Sequence, residues 1–255
     1  MSFVESSESS VARDIETLRS WINECPPAGM VFFGGAGVST ESGIPDFRSS
    51  HGLFSQKNHI PPEQIVSHTF FKRYPQEFYS FYFDNMVFPN VKPNQAHIKL
   101  GELYQSGVLR AVVTQNVDGL HQKAGCSEVF ELHGSAHRNF CLQCKQQFSL
   151  EDLITLHKKS NDGIPYCPYC GGIVRPDVVL YEEPLNQRVL EGAIRAIVNA
   201  DLLVVAGTSL VVYPAAALLQ YFSGSHLAII NLQPTAADKQ ADLCIPAKVG
   251  EVFAF

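Results

Sequence analysis

The sequence predicts an α/β fold: a doubly wound parallel sheet with a small zinc-ribbon domain inserted into it and a helical module beside it. Three observations predict it. Short apolar runs of strand length alternate with helical segments along most of the chain. The first run feeds a glycine-rich turn, as nucleotide-binding α/β sheets require. Further on, Cys141-Leu-Gln-Cys144 is followed after 22 residues by Cys167-Pro-Tyr-Cys170. Two such knuckles can bring four thiolates to one tetrahedral zinc ion, with no position left open.

Taken in order, residues 1–10 are polar and acidic and read as disordered, not as a signal peptide. Val11, Ile15, Leu18 and Ile22 recur at helical spacing over 11–24, and Pro26-Pro27 stops that helix. Met30–Phe33 is an apolar run bounded by glycine, the pattern of a buried parallel strand. Residues 51–92 are rich in Phe and Tyr and read as helices covering a cleft. Leu109–Thr114 and Val129–Leu132 read as strands, and residues 138–176 hold the zinc insert. Val178–Tyr181 reads as a further strand, residues 186–199 as a helix, and Leu202–Ala206 and Leu227–Asn231 as the last strands. Residues 11–255 would then form one Rossmann-like unit carrying its insert and cover.

Composition narrows the function. At 255 residues and 45% hydrophobic content, the chain can bury one large core. A net charge of −6 argues against a nucleic-acid partner held by bulk electrostatics. No apolar run is long enough to span a membrane. Cys25, Cys126 and Cys244 are scattered and fit reduced thiols, which points to the cytoplasm.

The first strand runs into Gly34-Gly-Ala-Gly-Val-Ser39. Gly35 and Gly37 form a Gly-x-Gly turn where backbone can approach a pyrophosphate at a helix N-terminus, although the third glycine of the usual fingerprint is missing. A plain tight turn would leave the same trace. Pro45 and Gly43 then exclude one regular helix. An ordered loop carrying Asp46, Phe47 and Arg48 would place an aromatic ring and a guanidinium over bound phosphates; a surface loop with one ion pair is the alternative.

Six segments in order resemble the sirtuins, the NAD-dependent protein deacylases, in their bacterial form. They are Gly35–Arg48, Thr114-Gln-Asn-Val-Asp-Gly-Leu-His121, Glu131-Leu-His-Gly-Ser135, the paired knuckles, Gly207-Thr-Ser-Leu-Val-Val-Tyr-Pro-Ala215 and Asn231-Leu-Gln233. The resemblance covers about residue 11 to residue 255. It implies that NAD⁺ is consumed: the acyl-lysine carbonyl oxygen attacks the nicotinamide ribose and nicotinamide leaves. A base then activates the ribose 2′-OH, and the products are free lysine and O-acyl-ADP-ribose. By this resemblance His133 is the base, and a neutral histidine suits that task. Asn116, Val117 and Asp118 would line the nicotinamide pocket, and Gln115 would contact its ribose. Gly35, Ala36 and Gly37, with Asp46, Phe47 and Arg48 nearby, would face the pyrophosphate. Gly207, Thr208 and Ser209 would reach phosphate or ribose. Asn231 and Leu232 would hold the adenine-side ribose, and Asp242-Leu-Cys244 would lie near adenine. Cys141, Cys144, Cys167 and Cys170 would hold one structural Zn²⁺.

The acyl-lysine would run through an apolar tunnel walled by Phe47, Val179 and Tyr181, with Val179–Glu183 as an edge that pairs with substrate backbone. Here the chain departs from the family pattern. Phe-Gly-Glu is replaced by Tyr181-Glu182-Glu183, and an added carboxylate at Glu182 would favour peptides with basic flanks. Tyr79-Ser-Phe-Tyr82 lacks the arginine of a Tyr-x-x-Arg site for acidic acyl groups, which favours neutral chains, acetyl first. Mono-ADP-ribosyl transfer to protein, and a non-catalytic NAD-binding sensor that docks through its zinc ribbon, stay open as other readings. A monomer is expected, since the family contains many.

Overall fold

A computed structural model describes residues 2–47, 49, 52–53 and 60–255, with side chains from residue 10 onward. The chain begins with α1 (Ser2–Glu24). The segment read as disordered, residues 2–10, thus continues this helix. Once the amphipathic turns from Val11 onward are formed, each added residue gains a backbone bond without a new nucleus. Then come β1 (Met30–Gly34), α2 (Pro62–Ile65), α3 (His68–Arg73), α4 (Pro75–Asn85), α5 (Gln95–Gln105), β2 (Leu109–Thr114), α6 (Leu120–Lys123) and β3 (Val129–Glu131). The second half contains β4 (Gly134–Cys141), β5 (Gln147–Phe148), α7 (Leu150–Lys159), β6 (Val174–Val178), α8 (Gln187–Val198), β7 (Leu202–Ala206), β8 (His226–Ile230), β9 (Leu243–Ile245) and α9 (Val249–Val252).

Six strands make one parallel sheet in the order β3-β2-β1-β7-β8-β9. β1 and β7 are buried along their whole length, which explains their unbroken apolar runs. One face packs Phe32, Val112, Val204 and Ile230 against α1, α5 and the C-terminal turn; the other packs Val31, Phe33, Val113 and Val205 against α8. β2 lies on one side of β1 and β7 on the other, so the strand order reverses between β1 and β7. A crevice therefore opens at their carboxyl ends.

A second sheet, β5-β4-β6, is antiparallel. It corrects two expectations. The strand expected at Val178–Tyr181 ends at Val178 and belongs to this small sheet. The sixth parallel strand is β9, a three-residue strand paired with β8. The helical segment α2–α4 packs on the small sheet through one cluster shared by Phe71, Phe78, Tyr79, Leu153, Val174 and Val178. The Tyr79 hydroxyl donates to the Val174 carbonyl at 2.7 Å. Among the described residues, no helix is long and apolar enough to cross a membrane.

Candidate active site

A cavity of about 400 Å³ runs along the carboxyl ends of the parallel strands. The segments that follow these strands supply part of its wall. Gly35–Gly37 follow β1, Gln115–Asp118 follow β2, and His133 follows β3. Gly207–Ser209 follow β7, and Asn231–Gln233 follow β8. The roof comes from Asp46, Phe47, Leu53, Val66, Met86 and Phe88.

The glycine turn interlocks with the start of the β7 loop. The Gly37 N–H donates to the Gly207 carbonyl at 2.8 Å. A Cβ on Gly37 would lie 2.7 Å from the Gly207 Cα, so only glycine fits. Gly207 has φ +59, and a Cβ there would lie 2.4 Å from the Val38 nitrogen. It meets the need for close backbone packing that the missing third glycine of the fingerprint would otherwise serve. No α-helix follows the turn. Two short 3₁₀ turns, Ala36–Val38 and Thr40–Ser42, replace the expected helix N-terminus. Gly43 at φ +91 and Pro45 prevent continuation.

Behind the turn lies a polar triad. The Ser39 hydroxyl donates to Asp118 Oδ2 at 2.7 Å and accepts from Asn116 Nδ2 at 3.1 Å. Asp118 Oδ1 accepts from the Leu120 N–H, which fixes the turn into α6. Ser39 and Asn116 are buried. Asn94, the N-cap of α5, donates from Nδ2 to the Val38 carbonyl at 2.8 Å and anchors the 3₁₀ turn from below. Gln115 Nε2 donates to Thr208 Oγ1 at 2.9 Å, tying the β2 loop to the β7 loop across β1.

His133 sits where the two sheets meet, between the end of β3 and the start of β4. Its Nδ1 is 3.0 Å from the Gln115 carbonyl oxygen. A carbonyl can only accept, so in the neutral ring the proton is on Nδ1 and the lone pair on Nε2. Burial holds the imidazole pKa below its usual value, against the opposing pull of the Gln115 carbonyl. The ring is therefore neutral at physiological pH and able to accept a proton.

The predicted peptide edge also lines the cavity, through Val179, Tyr181, Glu182 and Glu183. The Val179 N–H donates to the His133 carbonyl. Tyr181 is already bridged on its backbone, donating to Val66 and accepting from His68. Glu183 is engaged inside the protein: it takes both Arg175 guanidinium nitrogens, the His68 Nδ1–H and the Leu180 N–H. Cys244 is exposed on β9, its Sγ near the Asp238 carbonyl, and Asp242 accepts from the Leu227 N–H; neither lines the cavity. That end of the cleft is walled instead by Ala247, Lys248 and Val249, after β9. Arg48 lies outside the described residues.

The four knuckle cysteines converge, with every Sγ within 4.8 Å of the others. Cys141–Cys170 and Cys144–Cys167 are 3.4 and 3.7 Å apart. A Zn–S distance of about 2.3 Å requires tetrahedron edges of about 3.8 Å, so the set fits zinc. The knuckles share one turn: the N–H groups of Lys145 and Gly171 return to the carbonyls of Cys141 and Cys167, each residue at positive φ. All four donors are thiols, the set of a structural site.

The Sir2 family profile matches residues 35–214. The chain belongs to the Sir2 family. Among curated Sir2 relatives it is similar to the "NAD-dependent protein deacetylase" of Clostridium perfringens, 57% identical over 227 residues, covering 88% of this chain and 91% of the relative. A Cutibacterium acnes relative with the same name is 48% identical, covering 93% and 95%. Among solved structures, a Sir2 with a p53 peptide and NAD⁺ matches with a TM-score of 0.82 at 39% identity, covering 94% of this chain and 95% of that one. A Sir2 with a deacetylated p53 peptide and 3′-O-acetyl ADP ribose matches with a TM-score of 0.85 at 37% identity, with the same coverage.

Proposed function

We infer that this Sir2 protein is an NAD-dependent protein lysine deacetylase. The observation that carries the reading is the pairing of a glycine-built crevice with His133, whose bare Nε2 belongs to a residue lining the same cavity. The curated relatives' shared name and the solved Sir2 complexes support it.

NAD⁺, the co-substrate, supplies a nicotinamide leaving group and the ADP-ribose that takes the acyl group. Gly35, Ala36 and Gly37 offer backbone to its pyrophosphate, and Thr208 and Ser209 offer hydroxyls. Asn231 and Leu232 lie at the adenosine end. Asn116 and Asp118, held by Ser39, orient the carboxamide, and Gln115 reaches the adjacent ribose. His133 accepts the 2′-OH proton at Nε2. Phe47, Val179 and Tyr181 enclose the acyl-lysine. Tyr79 and Tyr82 are buried in the helical cover and do not line the cavity, so they offer nothing to an acidic acyl group; this supports neutral chains. The zinc-ribbon insert, about 138–176, and the cover, about 51–92, belong to one catalytic unit with the sheet. The negative net charge supports a protein substrate rather than nucleic acid, the free cysteines support a cytoplasmic site, and family likeness supports a monomer.

The test is incubation with NAD⁺ and an acetyl-lysine peptide, following nicotinamide and peptide mass. Peptide-dependent nicotinamide release with loss of the acetyl group is the expected result. A target heavier by one ADP-ribose would instead establish mono-ADP-ribosyl transfer, and NAD⁺ binding with no nicotinamide release would leave a sensor.

A further inference from the structure

Glu182 stands in a backbone conformation that side chains avoid, at φ +75. It is nevertheless anchored. One carboxylate oxygen, Oε2, accepts from both the N–H and the hydroxyl of Thr69, at 2.9 and 2.7 Å. Thr69 is in the first turn of α3, where its N–H has no partner within the helix. These bonds favour the ionised form of Glu182.

The contact extends a seam. The Tyr181 N–H donates to the Val66 carbonyl, and the His68 N–H donates to the Tyr181 carbonyl. The His68 ring donates to Glu183 at 2.6 Å. Residues 181–183 are thus stitched residue by residue to 66–69. Val66, Tyr181, Glu182 and Glu183 all line the cavity, and the cover continues to Met86 and Phe88 on the same wall. A glycine at 182 would adopt this φ freely and reach nothing.

We propose that the Glu182–Thr69 pair is a latch that fixes the helical cover against the peptide edge, making both a positioning element for the acyl-lysine peptide. This rests on the deacetylase reading above. It differs from selection by charge, because Glu182 acts through Thr69 on the shape of the edge. Peptides with basic, neutral and acidic flanks therefore depend on it alike. A preformed edge loses less freedom on binding, so the gain falls on peptide affinity and not on NAD⁺.

The test compares Thr69→Val, Thr69→Ser and Glu182→Gln with the parent protein. Acetyl-peptide Kd is read by calorimetry, and kcat and both KM values by turnover. Thr69→Val should weaken peptide binding by about fivefold, the net worth of one solvent-exposed hydrogen bond, for all three peptides, with NAD⁺ KM within about twofold. Thr69→Ser should restore it. Glu182→Gln, which keeps a neutral acceptor, should fall between. Unchanged peptide Kd in Thr69→Val overturns the latch. So does an equal loss for NAD⁺, which would mean general loosening, or a loss confined to basic-flanked peptides in Glu182→Gln alone, which would mean charge selection. If the parent binds the peptide but never removes its acetyl group, the deacetylase reading fails while the Kd comparison still decides the latch.

Discussion

In the six-stranded sheet, β1 and β7 are buried from end to end, with apolar clusters on both faces. In the three-stranded sheet, β5 contributes two residues, and the apolar side chains beneath β4 and β6 are largely borrowed from the helical cover. The first sheet can be stable on burial alone. The second has too little core of its own and closes on four thiols instead. The cavity runs between them, and His133 occupies the joint. On the proposed reading, a base held at this junction would let the NAD⁺ seat be rigid while the peptide wall is built from a separately supported module.

The largest way to break that comparison is to remove one thiolate. Cys141→Ser should abolish zinc binding and unfold the ribbon, since zinc-dependent folding in small modules is worth about 10 kcal/mol or more. Zinc content and amide exchange would show it: exchange should rise over β4–β6 while β1 and β7 stay protected. A ribbon that stays folded without metal would put its stability in the shared core. The matching lesion in the other half is Gly37→Ala. Its Cβ would overlap Gly207 backbone, costing about 2–4 kcal/mol and weakening NAD⁺ binding with zinc content intact, as thermal melts and NAD⁺ titration would report.

A third lesion attacks the seam. Arg175 and Glu183 are only 12% and 17% exposed and paired through both guanidinium nitrogens. Glu183→Ala leaves the guanidinium buried without its counter-charge, with only the Val178 carbonyl still accepting from it, at a cost of about 3 kcal/mol in denaturant titrations. The smallest effect per step is acid. His97 and His121, ring centroids 4.8 Å apart against β1, are buried, with His97 Nε2 and both His121 nitrogens lacking a hydrogen-bond partner among the described residues. Burial pushes the His97 pKa down to about 4 and that of His121 well below its usual value. Both rings stay neutral in the fold but take up protons near pH 6.5 when unfolded. Their contribution is thus complete above about pH 6.5 and fades as pH falls towards 4, at about 1.4 kcal/mol per pH unit for each ring. Acid should loosen the parallel-sheet half first, and a chelator the ribbon half.

Much of this was readable from the residues. Gly35 and Gly37 mark the crevice because backbone contact there tolerates no side chain, and the Cys-x-x-Cys spacing fixes the metal site almost without context. Gln115–Asp118 stand out as a polar turn at a strand end, where such sheets bind ligands, but their roles and that of His133 are legible only through the sirtuin resemblance of their flanking motifs. Other features are not local. Ser39 is an ordinary serine until Asn116 and Asp118 fold onto it. β9 has three residues, too few for any periodicity to register. Cys244 takes its place from β9, whose loop presents Lys248 to the cleft instead. In the cover, Pro75 starts α4 as soon as α3 ends, and the aromatic side chains pack in several directions, so no single face stands out. Glu182 reads as added charge; its partner Thr69 becomes visible only once the cover is seated.

The most direct test of the account is the action of His133 as a neutral base at the joint of the two sheets. His133→Ala should bind NAD⁺ and acetyl-lysine peptide as the parent does and keep its zinc. It should lose acetyl removal by about 10²–10⁴-fold, and the parent's rate should hold below pH 6.5, where an ordinary histidine would already be protonated. A variant that deacetylates at the parent's rate, or a parent rate that falls with a pKa above the usual histidine value, would contradict it.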